Sequence, residues 1–430
     1  MAQPGEHDSS SAHDSAAAVW IAGAILLIAA FAAYWNSLRV PFFFDDPISI
    51  LDNPTIRNLA ALGEVLTPPN NGSGVTGRPL VNLSLAINYA LGGTNPAGYH
   101  VANIFIHVLT TLALFGVVRR TLLLPALRVR FGGAALPIAF LTAALWLLHP
   151  LQTESVTCVI QRTELLMGLF YLLMLYCFVC TTEASSPLWP ALAVAACFAG
   201  MASKEVMVSA PLIVLLYDRA FVAGSFAGAW RRRRALYAGL AASWLLLAYL
   251  VASTGGARGE AAGFGIGATW WSYALKQCEA IILYLRLTVW PNPLVVFYGI
   301  DVVTNPAEVW LQALLLMALV AATLWAAWRR PILGFIGLWF FAILAPSSIV
   351  VPLVTQTVSE HRMYLPLVAP LVLAAGGLYL ALCRRTYVVA ATRRAGSRLG
   401  LARPQSRLPQ RTEHLDRHRR QSPAQCPRAR

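Results

Sequence analysis

The sequence predicts an all-α polytopic membrane protein, a helical bundle of about ten transmembrane helices. Three observations carry that prediction. The 430-residue chain is 57% hydrophobic and 12% charged, against roughly 45–50% and about 25% in soluble domains. Apolar runs recur from residue 17 to residue 382, at about the length a helix needs to cross ~30 Å of hydrocarbon. Arginines gather in the gaps between the runs, and the short alternating segments of a β-barrel are not evident.

Taken in order, residues 1–16 contain no Lys or Arg, so they lack the basic n-region of a signal peptide. They read as a disordered cytoplasmic N-terminus before an uncleaved anchor at 17–35. Residues 36–99 form a first long loop, expected to fold as short amphipathic helices. Within it "NGSGVTG" (71–77) has neither the lysine nor the following helix pattern of a phosphate-binding loop, and reads as flexible. The span 101–118 is flanked and lined by His100, Asn103 and His107 on one face. Metal-binding histidines usually sit four apart, so hydrogen bonding inside the bundle is the better reading. The span 132–148 stops at His149-Pro150, because proline cannot continue a helix.

The remaining spans are 165–182, 187–201, 205–218, 235–252, 308–328, 331–350 and 364–382. Most of the seven cysteines fall inside apolar runs, and the pair Cys177 and Cys180 reads as packing rather than redox chemistry. Residues 271–290 carry Lys276, Glu279 and Arg286 between aromatic ends, and read as an interfacial or bundle-packed helix rather than a crossing.

Basic loops stay cytoplasmic. Arg119 to Arg130, Arg219 with Arg231 to Arg234, Arg329-Arg330 and Arg384-Arg385 share that side if the chain crosses ten times with both termini cytoplasmic. The acidic N-terminal flank and Arg39 are a mild exception. Residues 36–99, 149–164, 203–205, 253–307 and 355–364 then share the extracytoplasmic face. Each holds polar residues against a membrane end, which predicts one shared site. The net charge of +14 does not predict a nucleic-acid partner: residues 384–430 hold 13 arginines against Glu413 and Asp416, so eleven of those charges lie in the tail.

Six stretches then stand out in order: "FFFDDPISILDNP", "GRPLVNLSLAINYAL", "NPAGYHVANIFIHVL", "LLHPLQTESVTCVIQRTELLMGLF", "ASKEVMVSAPLIVLLYD" and "SEHRMYLPL". Over roughly residues 20–382 the chain resembles the membrane domain of the transmembrane and tetratricopeptide-repeat proteins, whose animal members are protein O-mannosyltransferases. The resemblance implies a type C glycosyltransferase (GT-C) bundle spanning 17–382. Such enzymes take sugar from a polyprenyl-phosphate donor on the non-cytoplasmic face, and here the acceptor would be a protein Ser/Thr hydroxyl. Their first external loop carries a catalytic acidic motif, matched by Asp45 and Asp46.

The chemistry fits these residue types. A carboxylate can take the acceptor's proton; its neighbour can raise that proton affinity or hold a divalent cation, Mn²⁺ or Mg²⁺. Either aspartate can be the base. Glu154 is the next acid, to orient the acceptor or to complete a metal site with Asp45, Asp46 and His149. A lipid-phosphate leaving group needs cations and donors, for which Arg78, Arg162, Lys204, Lys276, Arg286, His361 and Arg362 are available, with Glu360 and Tyr364 in the same dense cluster. Lys204 draws notice because the chain has only two lysines. A transporter would place charges near mid-span in inverted repeats, which are not found; an inactive or accessory member of the family is the other alternative. The resemblance ends near residue 383. There the family continues with another span and external repeats, whereas residues 383–430 read as a disordered Arg/Pro-rich tail or a shifted reading frame.

Overall fold

A computed structural model describes residues 15–255, 269–299, 301–350 and 356–382, and among these every regular element is helical. Residues 1–14 and the tail 383–430, for which disorder is expected, lie outside the described residues. The elements run α1 (Ala16–Tyr34), α2 (Leu62–Val65), α3 (Pro79–Gly92), α4 (Pro96–Leu123), α5 (Pro125–Phe131), α6 (Ala135–Leu147), α7 (Thr153–Thr157), α8 (Arg162–Glu183), α9 (Leu188–Met201), α10 (Ala210–Tyr217), α11 (Phe226–Ser253), α12 (Trp270–Val289), α13 (Trp310–Arg329), α14 (Pro331–Ala345) and α15 (Val368–Leu382). Eight segments are long and apolar enough to cross a membrane, and α9 and α15 are shorter apolar helices. Together they occupy the ten predicted spans, and α12 is not among them.

Local chemistry sets the helix starts. Ser15 caps α1 through Ala18 N, Asn95 caps α4 with Pro96 in the first turn, Ser225 caps α11 and Thr269 caps α12. Each cap satisfies a backbone N–H that the helix leaves without a partner. Helix α4 begins five residues before its predicted span because Asn95-Pro96 is a stronger start signal than the apolar run itself. Helix α11 begins at Phe226 rather than 235, since the arginine run is also helical, with a break at Arg233 (φ −136°, ψ 30°).

Helix α4 is central: it packs against α1, α6 and α8, while α8 lies along α9 and α9 along α11. Some approaches leave no room for a side chain. A Cβ on Gly168 would stand 2.5 Å from the Tyr364 ring, and one on Gly334 would meet Ala327 backbone at 2.2 Å, which holds the α13–α14 hairpin together. One end of the bundle gathers the end of α1, the starts of α4 and α8, and the end of α14. Here the first loop builds a small core of its own, in which Ile50, Ile56, Val65, Val81 and Leu85 pack with Val159 and Ile160. Each such buried side chain contributes roughly 1.5–3 kcal/mol. Polar ties hold its register: Asn53 Nδ2 donates to Asn82 Oδ1 at 2.9 Å, and Asn82 Nδ2 donates to Val65 O at 2.7 Å. The loop is thereby fixed against the 158–160 turn rather than hanging from the bundle.

Candidate active site

The two adjacent aspartates have different environments. Asp46 is fully buried, and its carboxylate accepts from Ile160 N at 2.7 Å and from Phe43 N at 3.3 Å. Burial raises its pKa, opposed by those backbone donors and by the Cys158 thiol. Asp46 therefore joins the first loop to the 158–160 turn. Asp45 is only half-buried, and among the described residues its carboxylate has no hydrogen bond or ion pair. Burial raises its pKa too, while the positive charges of His361 and Arg78 pull it down, so both groups lie within electrostatic reach. Phe44, just before it, has φ +57°, the one non-glycine residue among those described in the left-handed region. That conformation costs roughly 1–3 kcal/mol and is typical of functional turns. After this turn the first aspartate, Asp45, is left open and the second, Asp46, is buried.

Opposite Asp45 lie groups from distant parts of the chain. Glu154, on α7, accepts from His361 twice, from the backbone N at 2.8 Å and from the ring Nδ1 at 2.6 Å. Burial raises the Glu154 pKa, but the His361 charge and hydrogen bonds, with Lys204, bring it below the ordinary carboxylate value. Lys204 is paired with Glu164 at 2.5 Å and Arg78 with Glu205 at 3.3 Å, Arg78 also donating to Gly74 O at 2.8 Å. Burial pulls the Arg78 pKa down to about 10, with Glu164 and Asp45 acting against it; it stays a cation at neutral pH. Arg362 is buried, and its fork reaches Tyr273 OH at 3.2 Å, Gln277 Oε1 at 3.3 Å, Thr357 O at 3.3 Å and Gln356 O, all of them neutral. Its Nε has no partner among the described residues. Glu360 turns the other way: its Oε1 accepts from Val295 N and Tyr298 OH, both at 2.7 Å, and so fastens the segment after α12. That segment brings Phe297 against Phe44, ring centroids 6.1 Å apart.

Asp45, Arg78, Glu154, Lys204, His361 and Arg362 are therefore gathered at one end of the bundle. The structure gives other predicted site residues different surroundings. Arg162 is buried with every arm on a neutral oxygen, donating to Asn103 Oδ1 at 2.8 Å, Tyr99 O at 2.9 Å, Ser84 O and Asn88 Oδ1. His149 caps the turn after it through Leu151 N and donates Nε2–H to Thr288 O at 3.0 Å. Tyr364 is buried against His107 Nδ1 at 2.9 Å. Lys276 pairs with Glu279 and Asp301, and Arg286 is exposed, reaching Asn292 O. The one-face polar row of α4 is accounted for by hydrogen bonds: His100 to Val40 O, Asn103 to the 156–159 backbone and His107 to Leu147 O.

The expected cation site, Asp45 and Asp46 with Glu154, does not fit. Both Asp46 oxygens face N–H donors, both Glu154 oxygens face His361, and among the described residues no three His, Cys, Asp or Glu side chains are grouped as metal ligands. Sequence reasoning missed Glu164, Tyr273, Gln277 and Tyr298. Only Glu164 carried a signal, as an acid beside Arg162 at the start of an apolar span.

Part of the chain is similar to known proteins. The chain is 35% identical over 151 residues to "Protein O-mannosyl-transferase Tmtc1" of Drosophila melanogaster, covering 34% of this chain and 16% of that protein. It is 33% identical over 148 residues to "Protein O-mannosyl-transferase TMTC3" of Homo sapiens, covering 33% and 15%. It is 29% identical over 215 residues to the Mus musculus TMTC1 protein, covering 46% and 22%. The matched stretches thus span less than a quarter of each of these relatives. No family model matches, and no solved structure matches. Over about a third of its length the chain is therefore similar to relatives named protein O-mannosyl-transferases, a likeness that agrees with the resemblance read from its motifs and with its all-helical bundle.

Proposed function

We propose that the chain is a membrane glycosyltransferase that moves a sugar from a polyprenyl-phosphate donor to a Ser/Thr hydroxyl of a protein on the extracytoplasmic face. The observation that carries this reading is the open carboxylate of Asp45, held at a strained turn with Arg78 and His361 in electrostatic reach. Asp45 takes the proton of the acceptor hydroxyl as that oxygen bonds to the anomeric carbon, and the carbon–phosphate-oxygen bond breaks with its electrons leaving on the lipid phosphate. A well-placed base of this kind contributes about 10²–10⁴-fold. Asp46 is the base's positioning residue, since it fixes the loop to the 158–160 turn.

The leaving phosphate needs positive charge that is already oriented. Arg362 is the best-suited cation, because its direct partners are neutral and its Nε has no partner among the described residues. Lys204 and Arg78 add charge, shared with Glu164 and Glu205. Glu154 fixes the His361 ring through Nδ1, so that its Nε2 is left for the acceptor or the phosphate. Mannose is the first sugar to test, given the names of the relatives. Glycoproteomics of host membrane fractions with and without the gene tests the reading: sugar-bearing Ser/Thr sites should disappear with it, and an unchanged site inventory refutes it.

A further inference from the structure

The opposite end of the same helices carries a second constellation, which the proposed reaction does not use. It gathers the ends of α4, α8 and α10, α5, the start of α11 and the α13–α14 turn; α5 and α14 both touch the turn at Asp218–Ala223, and Arg219 Nη1 donates to Ala327 O at 3.1 Å. Among the described residues this end holds two carboxylates, and both are occupied. Glu183 pairs with Arg120. Asp218, fully buried, receives Arg233 Nη1 at 2.9 Å on each of its oxygens and Tyr237 OH at 2.5 Å.

The lock on Asp218 separates the four successive arginines. Arg233 turns inward where the helical backbone breaks. Arg231, Arg232 and Arg234 are left exposed with no carboxylate partner among the described residues. Nearby, Arg128 and Arg130 on α5 and Arg329 and Arg330 at the end of α13 are exposed as well. The aromatic groups expected at a headgroup boundary are also present: Trp230 is 54% exposed, stacked on Tyr237 with ring centroids 6.1 Å apart, and Phe226 is 47% exposed. Exposed arginines beside membrane-spanning helices, flanked by half-exposed aromatics, suit phosphate groups lying at the bilayer surface.

We propose that this end of the bundle is a binding surface for anionic phospholipid headgroups, built by the Asp218–Arg233–Tyr237 lock and independent of the transfer site. The test offers the detergent-purified full chain equal amounts of phosphatidylglycerol and phosphatidylcholine and counts retained lipids by native mass spectrometry. Wild type should retain phosphatidylglycerol in preference. R231Q/R232Q/R234Q should hold it about a hundredfold more weakly, from the usual contribution of an arginine near an anionic surface. If that variant loses helicity by circular dichroism, R128Q/R130Q carries the test, with an expected loss of at least about tenfold. Equal retention of the two lipids, variants that retain phosphatidylglycerol as wild type does, or full displacement by inorganic phosphate each overturns the proposal; the last would mean that free phosphate is the ligand.

Discussion

Asparagine substitution at the two neighbouring aspartates should have opposite consequences. In Asp46→Asn the shape is kept, but one oxygen becomes an NH₂ that must face either Ile160 N–H or Phe43 N–H, now 2.7 and 3.3 Å from the carboxylate. One buried donor is left unpaired, at about 1–3 kcal/mol. The surviving bond loses its charge assistance, about half its strength. Together these predict a destabilisation of about 2–4 kcal/mol for Asp46→Asn. Asp45→Asn has no hydrogen bond to lose among the described residues and releases a partly buried charge, so its stability should lie within ~0.5 kcal/mol of wild type or slightly above it. Thermal denaturation of both variants in the same detergent, followed by tryptophan fluorescence, compares them directly. An Asp46→Asn protein as stable as wild type, or an Asp45→Asn protein as damaged as Asp46→Asn, refutes the division of roles.

The transfer reaction should fall off on the acid side at a higher pH than an unperturbed aspartate would give, because Asp45 must be ionised and burial raises its pKa. Arg78→Gln removes a charge that lowers that pKa, so the acid limb should move to still higher pH in the pH profile of turnover. Glu154 has its pKa depressed in the folded chain, so the stability it provides is present above its unfolded pKa, ~4.3, and is lost as pH falls through the lower folded value. Glu154→Gln should flatten that part of a stability–pH curve. Gly168→Ala places a Cβ 2.5 Å from the Tyr364 ring, and overpacking of this kind typically costs about 1–3 kcal/mol, measurable as earlier thermal unfolding.

The sequence made the apolar helices legible because hydrocarbon admits few solutions: apolar length alone points to the ten segments, of which eight are long and apolar enough to cross a membrane and two are shorter apolar helices. The gathering at one end was also legible, since Asp45, Lys204 and His361 all sit beside span ends. The division within each motif was not. Asp45 and Asp46 are chemically identical, and only the left-handed turn at Phe44 and the reach of Ile160 N separate the open carboxylate from the anchored one. Arg162 and Arg362 look alike in sequence and both donate to neutral oxygens; only Arg362 keeps an Nε with no partner among the described residues. Pairings such as Lys204–Glu164 depend on helix packing over 40 residues of sequence separation, which no local pattern encodes.

The most direct test is transfer itself. Purified wild-type and Asp45→Asn proteins, reconstituted in liposomes with polyprenyl-phosphate-[³H]mannose and an acceptor polypeptide, are compared by label recovered in protein. Wild type should transfer label, and Asp45→Asn should fall by about 10²–10⁴-fold while remaining folded. Transfer by Asp45→Asn at the wild-type rate would contradict the assignment of this carboxylate as the base.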